Sequence, residues 1–190
     1  KKKIVLIDTF ATNSSIYEER LYGGLDKFFK KKKLKHVFFV PTFITQFNIF
    51  NVIKIINALK KRSYLFKEHY LKLKDIFFAS FYFLRIKKFL KKYNRFEKWD
   101  LSKVICEEIF SGEDYSSKII SLLNYRFAKN LSENKVNLLK TINWFENQTV
   151  DKGWNYGFRK FFPNSKTYGY QGFLYYPQYM NSIPAKYEEF

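Results

Sequence analysis

Three polar side chains in the last third of the sequence suit a hydroxyl-rich ligand. Glu146 and Gln148 stand two positions apart in "NWFENQ", and Gln171 stands between two glycines in "GYQG". A carboxylate can hold hydroxyl groups by charge-assisted hydrogen bonds or accept a proton from one of them. An amide donates and accepts at once, and flanking glycines let the backbone come close to a ligand. Glu146 is therefore a candidate catalytic residue, and Gln148 and Gln171 are candidate substrate-binding residues.

Glu146 and Gln148 also have a structural explanation. Both precede a predicted helix, and the helix dipole stabilises negative charge at a helix N-terminus, so Glu146 could serve only as a cap. Gln148 could be no more than an exposed residue at the helix start. The sequence leaves both interpretations open.

Arg159, Asp8 and Thr9 are further candidates for substrate binding. Arg159, with Lys160 beside it, could contact a phosphate of a donor or of a lipid-linked acceptor. Two cations in the last turn of a helix also suit the helix dipole, which is the structural alternative. Asp8 and Thr9 follow the apolar run "KIVLI", where a strand is expected to end.

Gly153 and Gly157 stand four positions apart in a predicted helix, so they share one of its faces. Each glycine costs a helix roughly 1 kcal/mol relative to alanine, so a compensating reason is expected. Close approach of the helix to the sheet is the main expectation, and approach of a phosphate is the alternative.

The apolar patterns that position these residues alternate between strand and helix periods. Short apolar runs predict strands at 3–8, 36–41, 137–145 and 166–172, with Pro41 ending the second and a short strand possible at 63–66. Helical spacing predicts helices at 16–33, 49–62, 71–93, 102–110, 115–130 and 150–162. This order predicts an α/β, Rossmann-like lobe with a mostly parallel sheet and a helical insertion.

In sheets of this class, ligands bind at the carboxyl ends of the strands. Asp8 and Thr9 follow the first predicted strand, Glu146 and Gln148 follow the third long one, and Gln171 ends the last. We therefore expect these five residues on one rim of the sheet.

The charge of the chain is concentrated in its first half. The net charge is +18, with 24 Lys+Arg against 7 Asp+Glu in residues 1–98 and 11 against 10 in residues 99–190. Such a basic segment is typical of a protein that meets nucleic acid, an anionic membrane or phosphate-bearing substrates. A compositional bias toward Lys, Asn, Ile, Phe and Tyr could explain the total, but explains the asymmetry less well.

Several classes of site are disfavoured. The single cysteine, Cys106, excludes an internal disulfide framework, and no apolar run is long enough to span a membrane. His36 and His69 are isolated and show no metal-ligand spacing, so no metal is predicted. No nucleic-acid-binding motif is recognisable.

The predicted helix at 71–93 mixes aromatic with basic residues. This composition is typical of an interfacial helix whose cations are drawn to anionic lipid. The alternative is a core helix whose lysine side chains extend to water.

The segment "FENQTVDKGWNYGFRKFFPNSKTYGYQG" resembles GT-B glycosyltransferases of bacterial capsule and lipopolysaccharide assembly, among them transferases of Kdo-like sugars. In that group an aromatic-Glu-x-Gln motif follows a strand, a helix with an aromatic residue and an arginine comes next, and a later strand ends in Gly-Tyr-Gln, usually before a histidine. "YEERLYGGL" at 17–25 is similar to the start of the group's first helix. Gly172 departs from the pattern, since it stands where the histidine is expected. The matching residues are Phe145, Glu146, Gln148, Trp154, Arg159, Gly169, Tyr170 and Gln171.

The resemblance implies that residues 1–172 form the N-terminal, acceptor-side lobe of a two-lobed enzyme, with a helical section at about 71–131. Residues 173–190 would connect to a second lobe of the same polypeptide, which the absence of an initial methionine and the unfinished end also suggest. The first lobe would bind a glycan or lipid-linked acceptor and no cofactor. A nucleotide-activated sugar, with a CMP-linked sugar as one candidate, would bind the second lobe.

On this interpretation the protein is a bacterial glycosyltransferase lobe that is cytoplasmic and peripheral at the inner membrane face. An anionic membrane surface is then an expected partner and nucleic acid is not, and the lobe by itself is expected to be inactive. The alternative is a non-catalytic basic α/β module that docks on an anionic membrane or on nucleic acid.

Overall fold

The centre of the molecule is a parallel β-sheet. A computed structural model describes residues 2–12, 15–16, 22–43, 48–59, 63–86, 95–96, 98–110 and 114–171. Its strands are β1 (Ile4–Thr12), β2 (Ser15–Ile16), β3 (Val37–Phe43), β4 (Arg95–Phe96), β5 (Trp99–Asp100), β6 (Leu138–Trp144) and β7 (Lys166–Tyr170). Four of them pair in parallel in the order β3-β1-β6-β7. The short β2 pairs antiparallel with the end of β1, and β4 pairs antiparallel with β5.

The described helices surround this sheet. They are α1 (Leu25–Lys31), α2 (Ile49–Leu59), α3 (Leu73–Ser80), α4 (Ser102–Phe110), α5 (Tyr115–Glu133) and α6 (Thr149–Phe161), with a short 3₁₀ helix at Lys67–His69 and a helical stretch at 82–86. Within the described ranges, none of the helices combines the length and the apolar character needed to cross a bilayer.

Both faces of the sheet are covered at β1 and β3, which explains why these two strands are mostly apolar, whereas the edge strand β7 is largely exposed. On one face Leu6, Val40 and Leu138 pack against α5 and α6, where Phe127 and Trp154 are buried. On the other face the core consists of buried residues from β1, β3, α1 and the turn before α1, namely Ile7, Tyr22, Phe29, Val37 and Phe39. The α/β Rossmann-like class predicted from the sequence is therefore confirmed.

The strand order creates a topological switch point between β1 and β6. The chain passes from β1 outward to β3 and then returns across β1 to form β6 on its other side. In open parallel sheets, the crevice at the carboxyl ends of two such strands is the usual place for a ligand. The loop after β6, which contains Glu146 and Gln148, begins at this crevice.

Two strands run beyond their predicted ends. β1 continues through Asp8 and Thr9 to Thr12, and β3 continues through Pro41 to Phe43. Proline is tolerated there because the backbone N–H of Phe39, two residues earlier, points away from β1 and bonds to the carbonyl of Ser63. The N–H that Pro41 lacks would point to the same outer edge, so the ladder with β1 loses no donor. The predicted strand at 63–66 is only an isolated bridge between Tyr64 and Phe39.

Glycines in α6 allow a close contact with another helix, not with the sheet as expected. A Cβ atom on Gly153 would lie 1.8 Å from the carbonyl oxygen of Ser121 in α5. A Cβ on Gly157 would lie 3.0 Å from the Cα of Tyr125 and 3.1 Å from the Cβ of Ala128. The helices touch because the turn of α6 that faces α5 has no side chain in the way. The expected approach of this helix to the sheet is therefore wrong, since both glycines face α5.

Several expectations fall partly outside the described residues. These include part of the first predicted helix and of "YEERLYGGL" (residues 17–21), the end of the predicted helix at 71–93 (residues 87–93), and the connecting segment at 173–190. The remaining long helices and strands lie where the sequence patterns predict them, within a few residues at their ends.

Replacing Gly153 with alanine should severely destabilise the fold, and Gly157→Ala should not. The new methyl group at 153 meets backbone at 1.8 Å, so α6 must move away from α5, at a cost of about 3 kcal/mol or more. At 157 the contacts of 3.0–3.1 Å ask for only a small adjustment, which the gain in helix propensity of roughly 1 kcal/mol offsets. Urea unfolding of both variants measures the difference. Equal losses in the two variants, or none at 153, would contradict this contact.

Candidate functional site

Glu146 and Gln148 lie side by side in the loop that connects β6 to α6. The side-chain amide of Gln148 donates to Oε2 of Glu146 at 2.6 Å, and Nε1 of Trp144 donates to the other carboxylate oxygen. Glu146 is half-buried and Gln148 is exposed. The structure therefore brings these two predicted residues together at the carboxyl end of β6.

Asp151 holds this loop in place from the first turn of α6. Its Oδ2 accepts the backbone N–H groups of Glu146 and Gln148, each at 3.0 Å, and Gln148 is the N-cap residue. Asp151, and not Glu146, is thus the carboxylate that caps the helix. The alternative in which Glu146 serves only as a helix cap does not fit these contacts. Burial raises the pKa of Asp151 to about 6, although its two backbone hydrogen bonds favour the charged form.

Three aromatic rings cluster around Trp144, whose indole contacts the Glu146 carboxylate. The ring of Trp144 is 6.2 Å from that of Tyr22 and 5.6 Å from that of Tyr170, and Tyr22 and Tyr170 are 5.5 Å apart between centroids. Tyr22 is buried and donates its hydroxyl to the backbone oxygen of Asp8 at 2.7 Å, whereas Tyr170 remains 43% exposed. We call Tyr22, Trp144, Glu146, Gln148 and Tyr170 the edge site. The sequence did not single out Tyr22 or Trp144 because aromatic residues are abundant along the whole chain.

Gln171 directly follows Tyr170 and is exposed at the same end of the sheet. The end of β7 is tied to the edge site, since the N–H of Phe145 donates to the carbonyl of Tyr170 at 2.9 Å. Gly169 makes this possible, because a Cβ there would lie 2.9 Å from the Cβ of Phe145. Gln171 is thus on the predicted rim beside Tyr170.

Asp8 and Thr9 do not lie on the rim, and their predicted position is wrong. Because β1 continues to Thr12, both residues are in the middle of the strand and are buried, with their side chains on opposite faces. Asp8 faces the α5 and α6 side. Burial raises its pKa to about 7, an effect that the nearby Lys67 opposes and Asp151 reinforces.

A buried lysine lies near Asp8 on that face. The ammonium of Lys67 donates to Oγ1 of Thr42 at 2.7 Å and to Oδ1 of Asn124 at 2.9 Å. Burial lowers its pKa, and the charges of Asp8 and Glu68 counteract that effect. The chain has 35 Lys+Arg, and no sequence signal distinguishes Lys67 from the others. A cavity of about 140 Å³ opens beside it, lined by Thr42, Phe43, Lys67, Glu68, Leu71, Ile120 and Leu123.

Two buried asparagines add to this polar interior. Asn143 follows Ile142, the partner of Ile7 in β6, and Asn155 lies one turn after Asp151 in α6. Within the described part of the chain, Oδ1 of Asp8, Oδ1 of Asn143 and both amide atoms of Asn155 make no hydrogen bond. A buried polar group left this way costs about 1–3 kcal/mol. Such local costs are typical of functional regions, which depart from the rules that make a core stable.

Arg159 is remote from the other candidates. It lies in the last turn of α6, and Gln148 precedes the first turn, so the rise of the helix separates them by about 16 Å. Its neighbour Lys160 extends over the rings of Tyr125 and Tyr156, at 5.6 and 5.5 Å from their centroids. Both cations are exposed in the last turn, where they suit the helix dipole.

No group of three or more histidine, cysteine, aspartate or glutamate side chains is arranged to hold a metal ion among the described residues. The groups able to contact a ligand at the edge site are a carboxylate, an amide and aromatic rings. These groups bind by hydrogen bonding and ring packing and need no metal to do so.

Comparisons of the chain with protein-family models, with curated proteins and with solved structures found no match. The resemblance to GT-B glycosyltransferases therefore stays a prediction that rests on the quoted motifs.

The free energy of unfolding should decrease as the pH rises from about 4 to 7. The folded protein keeps the Asp8 proton up to about pH 7, whereas the unfolded chain releases it near the usual value of 3.8. Asp151 adds the same trend up to about pH 6. The stabilisation is thus present below the unfolded pKa and is lost as the pH passes the folded one.

Asp8→Asn should flatten this dependence, because an amide has no proton to lose. Urea unfolding followed by circular dichroism at several pH values across the window measures the slope. Asp114→Asn, at an exposed aspartate, is the control and should keep the wild-type slope. A wild-type slope in Asp8→Asn would show that Asp8 titrates equally in both states.

Proposed function

We propose that this chain is the acceptor-side lobe of a GT-B-type glycosyltransferase of bacterial surface-glycan synthesis, and that it binds a carbohydrate at the edge site. The sheet topology supports this proposal, because the loop after β6 opens at the switch point where α/β sheets bind ligands. The activated sugar would bind mainly to a second lobe of the same polypeptide.

One observation carries the proposal: a hydrogen-bonded carboxylate and amide lie next to partly exposed aromatic rings at the end of the sheet. The amide of Gln148 donates to Glu146 at 2.6 Å, and the indole of Trp144 links the same carboxylate to the ring of Tyr170. A sugar has an apolar C–H face that packs on aromatic rings and a rim of hydroxyls that needs donors and acceptors. The edge site offers both to one ligand.

The contacts of Glu146 leave it able to bind a hydroxyl group. A carboxylate has about four lone-pair positions, and Trp144 and Gln148 each use one. These two donors and the backbone bonds to Asp151 orient the side chain before a ligand arrives, which is the preorganisation that catalysis and binding require.

Glu146 would act as the proton acceptor in transfer. The acceptor hydroxyl oxygen bonds to the anomeric carbon of the activated sugar, and the bond from that carbon to the phosphate oxygen of the nucleotide breaks. The phosphate leaves with the electron pair, and the hydroxyl proton passes to the Glu146 carboxylate. Gln148 and Gln171 would hold other hydroxyls of the acceptor.

Glu146→Gln and Tyr170→Ala should each weaken sugar binding by roughly tenfold, because one removes a charge-assisted hydrogen bond and the other removes the exposed ring. Saturation-transfer NMR of the chain with glucose, galactose, N-acetylglucosamine and Kdo as probes measures the loss. Tyr168→Ala is a matched control, since Tyr168 lies in the same strand and is also 43% exposed.

Binding that Tyr168→Ala and Tyr170→Ala reduce equally would place the sugar elsewhere on β7. No response to any of the four probes, with the fold intact by circular dichroism, would count against the carbohydrate assignment. In the complete polypeptide, Glu146→Gln should abolish transfer, and unchanged transfer would remove Glu146 from the reaction.

A further inference from the structure

An apolar surface covers the outer side of α3 and of the helical stretch at 82–86. We call it the apolar stripe, and it consists of Leu73 (75% exposed), Ile76 (49%), Phe77 (61%), Phe81 (45%) and Leu84 (60%). At 100° per residue Leu73, Ile76 and Phe77 share one side of α3, and Phe81 follows its last turn. The rings of Phe77 and Phe81 are stacked, with centroids 6.1 Å apart and planes 12° from parallel. Large apolar side chains therefore form a continuous exposed surface.

The orientation of α3 is determined by a buried ion pair on its opposite side. The carboxylate of Asp75 accepts Nε of Arg126 at 2.6 Å and Nδ2 of Asn130 at 2.7 Å, both from α5. It also accepts the backbone N–H of Lys72 at 2.9 Å. Burial alone would raise the pKa of Asp75, but these bonds outweigh it and lower the pKa, so the carboxylate is charged.

This ion pair explains why the stripe faces outward. Rotating α3 to bury Phe77 would pull Asp75 away from Arg126, and breaking a buried pair costs about 3–5 kcal/mol. A soluble monomer gains nothing from exposing such a surface, and exposed apolar surfaces of this kind mark interaction sites.

The charges around the stripe indicate what it binds. Lys72 and Lys74 are exposed at its N-terminal end. The sequence from Leu71 to Tyr93 contains seven Lys+Arg and one acidic residue, Asp75, which is buried and paired with Arg126. A second copy of this chain would bring the same positive charge to the contact and would be repelled. An anionic lipid surface supplies the opposite charge together with an apolar interior.

We propose that the apolar stripe docks on an anionic membrane surface. Leu73, Phe77 and Phe81 enter the boundary between headgroups and acyl chains, and Lys72 and Lys74 bind the anionic headgroups. The helix combines features of the two alternatives that the sequence left open, since Asp75 is buried against Arg126 on one side and Leu73 and Phe77 are exposed on the other. Docking through the stripe is independent of sugar binding at the edge site.

Co-sedimentation with vesicles tests the docking. The full chain should bind vesicles of equal parts phosphatidylglycerol and phosphatidylcholine and should bind pure phosphatidylcholine weakly. Binding should decrease at about 1 M salt, where the screening length is about 3 Å. The double variant Phe77→Ser, Phe81→Ser should lose binding by roughly tenfold or more, because two aromatic side chains no longer enter the bilayer.

Phe50→Ser is the matched control, since Phe50 in α2 is 76% exposed but lies outside the stripe. It should bind like the wild type, and circular dichroism should show all variants folded. The proposal fails if the wild type does not bind the anionic vesicles, or if the double variant binds them as well as the wild type does. It also fails if the wild type self-associates through the stripe, seen as a concentration-dependent dimer in sedimentation velocity that the double variant loses.

Discussion

The contact between the backbones of α5 and α6 at Gly153 is the constraint on which the edge site depends. It determines how α6 lies over the sheet and therefore where its first turn begins. Asp151 is two residues before Gly153, and its carboxylate holds the N–H groups of Glu146 and Gln148. The position of the catalytic candidate Glu146 thus depends on the absence of a side chain at Gly153. Small displacements of such a helix start change the chemistry more than they change the fold.

The sheet contributes the second constraint, which is the placement of polar groups where an apolar core is normal. Asp8 in β1 and Asn143 in β6 stand at the switch point, with Lys67 and Asn155 on the same side. Burial raises the pKa of the Asp8 carboxyl to about 7. On this face the region around Asp8 is therefore poor in hydrophobic stabilisation, whereas on the other face Tyr22 and Trp144 of the edge site belong to the apolar cluster around Ile7. The hydrophobic stabilisation of this face comes from the apolar residues nearer the other end of the strands, around Leu6, Leu138 and Phe127.

The fold class, the long helices and the four parallel strands follow from apolar periodicity, which is a local property of sequence. What the sequence did not predict depends on neighbours distant in the chain. The predicted end of β1 is Asp8 because a carboxylate normally ends a buried run, but Asp8 is buried on the side of Lys67, and burial raises its pKa to about 7. The position of Glu146 and Gln148 on the rim was predicted from the strand that precedes them, whereas the rings of Tyr22, Trp144 and Tyr170 come from three separate segments and carry no common signal.

Helix α5 connects the edge site to the apolar stripe. Its inward side is unusually polar: Asn124 accepts the ammonium of Lys67, Arg126 and Asn130 bind Asp75, and Ser121 meets Gly153 of α6. Buried polar contacts add little net stability, but each is satisfied in only one arrangement of its partners, so together they specify how α3 and α6 lie on α5. The stripe is therefore exposed because this orientation of α3 keeps Asp75 paired with Arg126, and not because α3 is loosely packed. On the two proposals above, α5 would therefore set the position of the edge site relative to the docked stripe.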